Sequence, residues 1–427
     1  MTTRTLSLLL STAISTASMI FSPAQAGAEP VGGQVLLPDS SIEQADHIGR
    51  TAHTNTKIFV PTGGMRNLHP SNMGKAEPET APGTGFYETP ASLGCVYGLV
   101  AASPSQTGCN PTDTTLANPL GGSKAIAIVD AFHYSTAFSD LQLFSSQFGL
   151  LAPTSANFQV VFASGTQPKE DVGWGLEAAL DIEWAHAMAP QAKIYLVEAA
   201  SNSFADLFTA ITVANNLVAA AGGGEVSMSW GGSEFPFEKH YDSYFTKSGV
   251  VYFAAAGDGP GVIWPSAAPN VVSAGGTTIS RDPTTGNFQL ELAWSSTGGG
   301  PSKYETRPAY QQAISQIVGN KRGTPDIAAV ADPNTGVWVY NNPYCGGWCI
   351  VGGTSVAAPV LAGIVNWAGK FSTSTSSELT TVYSNLGDAS DFTDITHGVC
   401  GPNQGYLSVT GWDFCTGVGS SLGNLGK

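Results

Sequence analysis

The chain has 427 residues, 42% of them hydrophobic and only 11% charged, with 17 basic against 32 acidic side chains and a formal charge of −15. High hydrophobicity with sparse charge excludes a disordered chain, and basic residues scattered without a run of three exclude the clustered cationic surface that a nucleic-acid partner needs. No uninterrupted apolar stretch of about 18 residues follows Ala26, so no membrane span is expected after it.

In chain order, Arg4 precedes an apolar run from Leu6 to Leu10 and a mostly apolar segment through Phe21, and Ala24-Gln25-Ala26 supplies small residues for signal peptidase. Residues 1–26 therefore read as an export signal rather than structure. A buried N-terminal helix is the weaker alternative, because Ser and Thr interrupt the run and Pro23 closes it. Export leads to an oxidising compartment, medium or periplasm, where six cysteines can pair. Proximity in sequence suggests Cys95 with Cys109, Cys345 with Cys349 and Cys400 with Cys415, although six cysteines leave other connectivities open.

Residues 27–84 are rich in Pro, Gly, Thr, Asn and His and show one short strand-like piece, Lys57 to Val60, so they read as a short leader, a pro-segment or an extended arm. From Gly122 onward, apolar runs (Ala125 to Val129, Gln159 to Ala163, Lys193 to Val197, Glu225 to Met228, Val250 to Ala255, Val271 to Ala274) alternate with helical stretches such as Trp174 to Met188 and Phe204 to Ala220. Strands apolar on both faces and separated by helices indicate an α/β fold, a mainly parallel sheet covered by helices on both faces. Its functional residues are expected at the carboxyl ends of the strands.

The segment Gly352-Gly353-Thr354-Ser355-Val356-Ala357-Ala358-Pro359 runs into an apolar helical stretch, with Pro359 read as tolerated within its first turn. A serine there has an accessible hydroxyl and a backbone N–H at the positive end of a helix, suited to hold an oxyanion; alone, it could equally be an N-cap. With its context, the segment resembles the nucleophile motif of the subtilisin fold, and more closely that of the sedolisins, or serine-carboxyl peptidases. Ala254 to Gly259 resembles the oxyanion strand, with Asp258 where subtilisins carry Asn. Arg322 to Asp332 is similar to the sedolisin stretch upstream of the serine. The resemblance covers residues 85–427 as one subtilisin-like peptidase domain.

No His-Gly-Thr-His segment is present to supply a subtilisin base. Gly175 to Trp184 instead carries Glu177 and Asp181 one helical turn apart on one face, and the pair matches the sedolisin Glu and Asp. His186 lies about 140° round the helix from Asp181, which makes it structural rather than catalytic. Asp130, after strand Ala125 to Val129, is a secondary site residue or a turn former.

The resemblance implies a secreted serine endopeptidase in which Ser355 attacks the peptide carbonyl, Glu177 is the general base, Asp181 orients it, and a protonated Asp258 holds the oxyanion with the Ser355 N–H. Carboxyl chemistry implies activity in acid, centred at roughly pH 3 to 5. Val226 to Gly232 resembles the strand on which an extended peptide adds, giving Ser229, Trp230 and Gly231 as substrate-binding positions. The loop 392–419 looks like the sedolisin calcium site: Asp394 and Asp413 through carboxylates, Ile395, Val409 and Gly411 through carbonyls, around one structural calcium ion.

Sedolisins typically carry a large folded pro-domain, for which residues 27–84 are too few; processing near Gly85 to Pro90 is the expectation. Polypeptides are the expected partners, with no nucleic acid, no membrane after signal removal, and a monomeric chain. The alternatives are a tripeptidyl-type aminopeptidase of the same fold and an inactive peptide-binding relative.

Overall fold

The computed structural model describes residues 32–62, 85–101 and 108–423, with isolated positions at 64, 70 and 426; the export signal lies outside them. The main sheet is built on β4 (Ala125–Ala131), β5 (Phe158–Phe162), β6 (Lys193–Ala199), β7 (Gly224–Met228), β9 (Val250–Ala255), β11 (Val272–Arg281) and β13 (Ile327–Val330). These run parallel in the order β13-β11-β9-β7-β4-β6-β5. β12 (Phe288–Ala293) adds antiparallel to β11, and β17 (Ser420–Ser421) with β16 (Phe392–Thr393) extends the far edge.

Every residue of β4, β7 and β9 is buried, as expected of parallel strands covered on both faces. One face carries α3 (Val172–Met188) and α5 (Thr354–Ala368), packed with α1 (Pro90–Val96) and α2 (Ala137–Phe148); the other carries α4 (Phe204–Ala220) over an aromatic cluster including Trp230 and Trp264. The apolar segments thus form the α/β sheet with covered faces that their pattern indicates.

α3 begins at Asp171, whose carboxylate accepts from the N–H groups of Gly173 and Trp174 at 3.1 and 3.0 Å. A helix apolar all round belongs inside the molecule, and from Gly173 to Met188 every residue of α3 is buried. It meets α5 closely at Gly363, where a Cβ would lie 2.6 Å from Met188 Cβ and 3.1 Å from the Ala185 carbonyl. This contact places the acids of α3 opposite the start of α5.

Three boundaries differ from those read in the sequence. β4 continues to Ala131, so Asp130 is a strand residue rather than a turn former. β11 continues past Ala274 to Arg281 because β12 pairs with its second half. α5 starts at Thr354, so Pro359 falls in the helix interior rather than in its first turn.

Residues before β4 form a second layer. β1 (Gly33–Leu36) and β3 (Lys57–Pro61) join β14 (Val337–Asn341) and β15 (Gly347–Gly352) in an antiparallel sheet of order β1-β3-β15-β14. Between β1 and β3, β2 (His53–Thr54) pairs antiparallel with β8 (Trp230–Ser233), which itself pairs with β10 (Ile263–Trp264). The strand-like piece at 57–60 is therefore a sheet member. The cysteines pair Cys95–Cys109, Cys345–Cys349 and Cys400–Cys415, with Cα separations of 5.3, 6.0 and 5.6 Å.

Candidate active site

Ser355 is the second residue of α5, where backbone N–H groups have no partner within the helix. Gly353 before it has φ +106°, a conformation that L side chains rarely adopt. A Cβ on Gly353 would also lie 1.9 Å from the Asn55 carbonyl oxygen and 2.7 Å from Asp258 Oδ2. Those two oxygens converge above the helix start, beside the Ser355 N–H, which donates to Asn55 O at 3.2 Å.

Pro359 explains a further feature of this corner. Lacking an N–H, it leaves the Ser355 carbonyl without its intrahelical donor, and Ser229 Oγ takes that place at 3.1 Å. Ser229 Oγ also lies 2.8 Å from Asp181 Oδ1. One hydroxyl proton cannot serve both acceptors. With that proton on the otherwise orphaned Ser355 carbonyl, Asp181 carries a proton of its own and donates it to Ser229. Burial, Asp130 and Glu177 all push the Asp181 carboxyl well above its ordinary range, in agreement.

Glu177, one turn before Asp181, faces the nucleophile: the Thr56 hydroxyl bonds its carboxyl, and the Ser355 hydroxyl, which itself donates to the Ser229 carbonyl at 3.0 Å, lies near enough to favour its charged form. Burial and then Asp130 raise Glu177 well above the usual carboxylate range, while the nearby hydroxyls of Ser355 and Thr56 favour its charged form. Asp130, fully buried with both carboxyl oxygens unpartnered, is pushed up to about 8 by burial and then by Glu198. Three acids thus share one apolar site with no cation bonded to any of them.

Asp258 follows β9. Its Oδ1 accepts from the Thr354 N–H at 2.7 Å and from the Thr354 hydroxyl at 2.9 Å, while Oδ2 is buried and free. Burial raises it to about 6, against the opposing charge of Lys57 and the bonds from Thr354. A proton on Oδ2 would point at the place occupied by the Asn55 carbonyl. Thr354 and Lys57 are contributors that sequence reasoning missed: Thr354 was visible only as a motif letter, and Lys57 stands 201 positions from Asp258, whose carbonyl its Nζ reaches at 3.0 Å.

Of the expected substrate-binding positions Ser229, Trp230 and Gly231, the Trp230 side chain lies in the core. Its indole N–H donates to Val129 O at 2.7 Å inside the aromatic cluster, which leaves only its backbone for a substrate. A pocket of about 570 Å³ lined by Asn55, Asp258, Gly261, Ile263 and Gly300 opens beside these positions. His186 bonds Leu151 O at 2.7 Å and is held below its ordinary value by burial, a structural role. Among the described residues, no histidine nitrogen is bonded to Ser355.

In the C-terminal loop, Asp394 Oδ2 accepts from the Gly411 N–H at 3.0 Å and Asp413 Oδ2 from the Val409 N–H at 3.1 Å, so residues 409–411 tie the two carboxylates together. Asp394 Oδ1 is buried and orphaned, an atom that a cation would satisfy. Asp413 Oδ1 is capped by the N–H groups of Cys415 and Thr416. Ile395 places its side chain in the interior, which leaves only its backbone for a ligand. Among the described residues, no group of three or more His, Cys, Asp or Glu side chains gathers as a metal cluster. The two carboxylates tied to one loop are hard oxygen groups of the kind calcium takes.

A model of the subtilase family matches residues 166–379. Kumamolisin of Bacillus sp. (strain MN-32) is 32% identical over 336 residues, spanning 71% of this chain and 59% of that protein. Sedolisin of Pseudomonas sp. (strain 101) is 26% identical over 365 residues, 75% of this chain and 60% of its own. Tripeptidyl-peptidase 1 of Dictyostelium discoideum is 25% identical over 360 residues. The chain spans about six-tenths of the length of the first two relatives. The solved Pseudomonas sedolisin, a serine-carboxyl proteinase complexed with two molecules of pseudo-iodotyrostatin, superposes with a TM-score of 0.64 at 23% identity, covering 79% of this chain and 96% of that one, which establishes likeness of fold.

Proposed function

The chain belongs to the subtilase family, in its sedolisin branch, and from that premise we propose that it is a secreted, acid-active endopeptidase whose nucleophile is Ser355 and whose proton carriers are carboxyls. The observation that carries this reading is the Ser355 hydroxyl set near the Glu177 carboxyl, whose charged form it favours, inside a buried acid group. Glu177 takes the serine proton as Ser355 attacks, then returns it to the leaving amine. Asp181, protonated and bonded through Ser229, holds Glu177's surroundings neutral apart from the one transferable charge. The hydroxyls of Ser355 and Thr56 favour charge on Glu177 and so select it as the member that ionises first. Asp258, protonated below about 6, donates from Oδ2 to the oxyanion alongside the Ser355 N–H.

Asp130 keeps the acid group's proton inventory high and is a positioning residue in this scheme. Ser229 and Gly231 present backbone to an extended peptide, and Trp230 anchors that strand in the core. Export is supported by the apolar leader with its Ala24-Gln25-Ala26 end and by three disulfides, and no described helix is long and apolar enough to cross a membrane. Asp394 and Asp413, with the carbonyls of Ile395, Val409 and Gly411, would hold a calcium ion, which when bound neutralises two carboxylates and fixes the loop. We take the endopeptidase rather than the tripeptidyl mode because β8 continues to Ser233 along the non-primed side, room for more than three residues. Product analysis on an amino-terminally blocked peptide tests this: internal cuts, absent in Ser355→Ala, support it, and release of tripeptides from free amino termini alone overturns it.

A further inference from the structure

One wall of the pocket beside Ser355 hangs on an acid. Gly300, Pro301 and Lys303 line that pocket together with Ser233 and Glu234. They lie on the strand Gly300–Thr306, which pairs antiparallel with Lys321–Thr324 as a ribbon of two strands outside the main sheet. A two-stranded ribbon is marginal by itself, and this ladder is interrupted between Pro301 and Thr306, where the register shifts. Glu234, next after β8, ties down the interrupted stretch: its carboxyl accepts from the Ser302 hydroxyl and from the Lys303 N–H, the latter at 2.9 Å. Ser302 Oγ in turn accepts from the Glu305 N–H at 2.8 Å and the Tyr304 N–H at 3.1 Å, so this part of the wall is folded round one hydroxyl.

Glu234 is backed by further acids. Phe237, at a φ of +76° that is rare for a bulky residue, keeps its own ring 73% exposed and turns Glu238 toward Glu234. Glu238 Oε2 accepts from the Phe235 N–H at 2.8 Å, while its Oε1 is buried without a partner, as are Glu305 Oε1 and Asp242 Oδ1. Burial raises Glu238 to about 9, Glu305 to about 7 and Asp242 to about 6. Glu234 and Glu305 add to the rise of Glu238, and Asp242 and Glu234 to that of Glu305. The cations that reach this group are Lys239, which is exposed, and Arg322, which Asp326 already holds through two bonds.

We propose that Glu234, Glu238, Asp242 and Glu305 form a proton-held clasp, a set of positioning residues that keeps the 300–303 wall in place beside β8 in acid and releases it as the pH rises. The proposal rests on the peptidase reading above in taking this pocket as the substrate cleft. In acid, protons on Glu238, Asp242 and Glu305 leave Glu234 to accept from the wall without like charges behind it. All three are raised in the closed form, so closure is unopposed below the ordinary carboxyl range near about 4 and weakens as the pH climbs toward the raised values. Once ionised, Glu305 on the wall and Asp242 on the facing segment repel across the joint. The clasp shares no acid with the group at Ser355, so it acts on substrate binding and not on proton transfer.

The test is native-state hydrogen exchange of the full chain from pH 5 to pH 7, read on residues 300–306 and 233–245 against β4, together with kcat and KM for a peptide substrate. In the parent, protection of the wall is expected to fall about tenfold or more per pH unit, since each proton released on opening contributes that factor. The exchange should be insensitive to low urea, as local opening is, and KM should rise over the same range. Glu238→Gln and Glu305→Gln each imitate a protonated carboxyl and should make both changes shallower. Ser302→Ala, which keeps every acid but removes a donor to Glu234, should lose wall protection already at pH 5. Wall protection that stays constant from pH 5 to pH 7, or that is lost only together with β4 under urea, would overturn the proposal and leave the peptidase reading standing. The predicted exchange in a chain that hydrolyses no peptide at any pH would overturn the peptidase reading alone.

Discussion

Two sets among the buried acids of this molecule contrast. Glu88 and Asp326 each meet a guanidinium: Arg281 at 2.6 Å, and Arg322 at 2.5 and 2.8 Å. Glu177, Asp181 and Asp130 lie equally deep; the first two are bonded only by hydroxyls and the third has both carboxyl oxygens unpartnered. Paired acids have their charge fixed by the partner and serve as structural pins. Unpaired ones gain or lose a proton according to pH, and a serine among them acquires a base that works in acid.

The comparison breaks most sharply at the unpaired set. Ser355→Ala or Glu177→Gln is expected to lower kcat by about 10⁴-fold or more, read by peptide hydrolysis at pH 4, with the far-ultraviolet circular dichroism unchanged. Asp258→Ala removes one oxyanion donor and should lower kcat by about 10²- to 10³-fold, whereas Asp258→Asn keeps a donor at every pH and moves the alkaline limb of the rate profile upward from about 6. Equal profiles for Asp258→Asn and parent would separate that limb from Asp258.

The paired set should respond in stability instead. Arg281→Ala leaves the Glu88 charge buried and alone, a loss of about 3–5 kcal/mol in denaturant unfolding with no change in the shape of the pH–rate profile.

The pH dependence of stability sharpens the contrast further. Asp130 is raised to about 8 in the folded chain, so in acid both folded and unfolded forms hold its proton and its burial costs little. Above about pH 4 the unfolded form alone loses that proton, and stability declines until the folded form ionises too, near 8. Glu305 and Glu238, raised to about 7 and about 9 chiefly by burial, act in the same direction. The melting temperature is therefore expected to fall from pH 4 to pH 8, and Asp130→Asn to flatten that fall; a melting temperature rising across this range would contradict the assignment. The smallest effect is expected at the C-terminal loop, where a chelator or Asp394→Asn should lower the melting temperature by a few degrees without moving the rate profile.

The sheet was legible because parallel strands buried on both faces must be written as apolar runs, and β9 and α4 begin and end where the pattern does. The acids of α3 were legible because two carboxylates one turn apart in an apolar helix have few structural uses. The arm was not. Lys57 to Val60 shows a strand period, but nothing in Thr51 to Thr56 announces that it will lie along β8, since that pairing joins residues 178 and 176 positions apart through backbone groups common to any sequence. Pro359 was likewise read as a first-turn residue, when its missing N–H is what draws Ser229 to the Ser355 carbonyl. Trp230 was read as a cleft residue, although the size of its ring sends it into the core.

The central claim is that carboxyls rather than an imidazole move the protons at Ser355. The most direct measurement is the pH dependence of peptide hydrolysis by the parent and by Glu177→Gln. A bell centred at roughly pH 3 to 5 in the parent, abolished in Glu177→Gln, is the predicted result. An optimum near pH 8 that survives Glu177→Gln would contradict it.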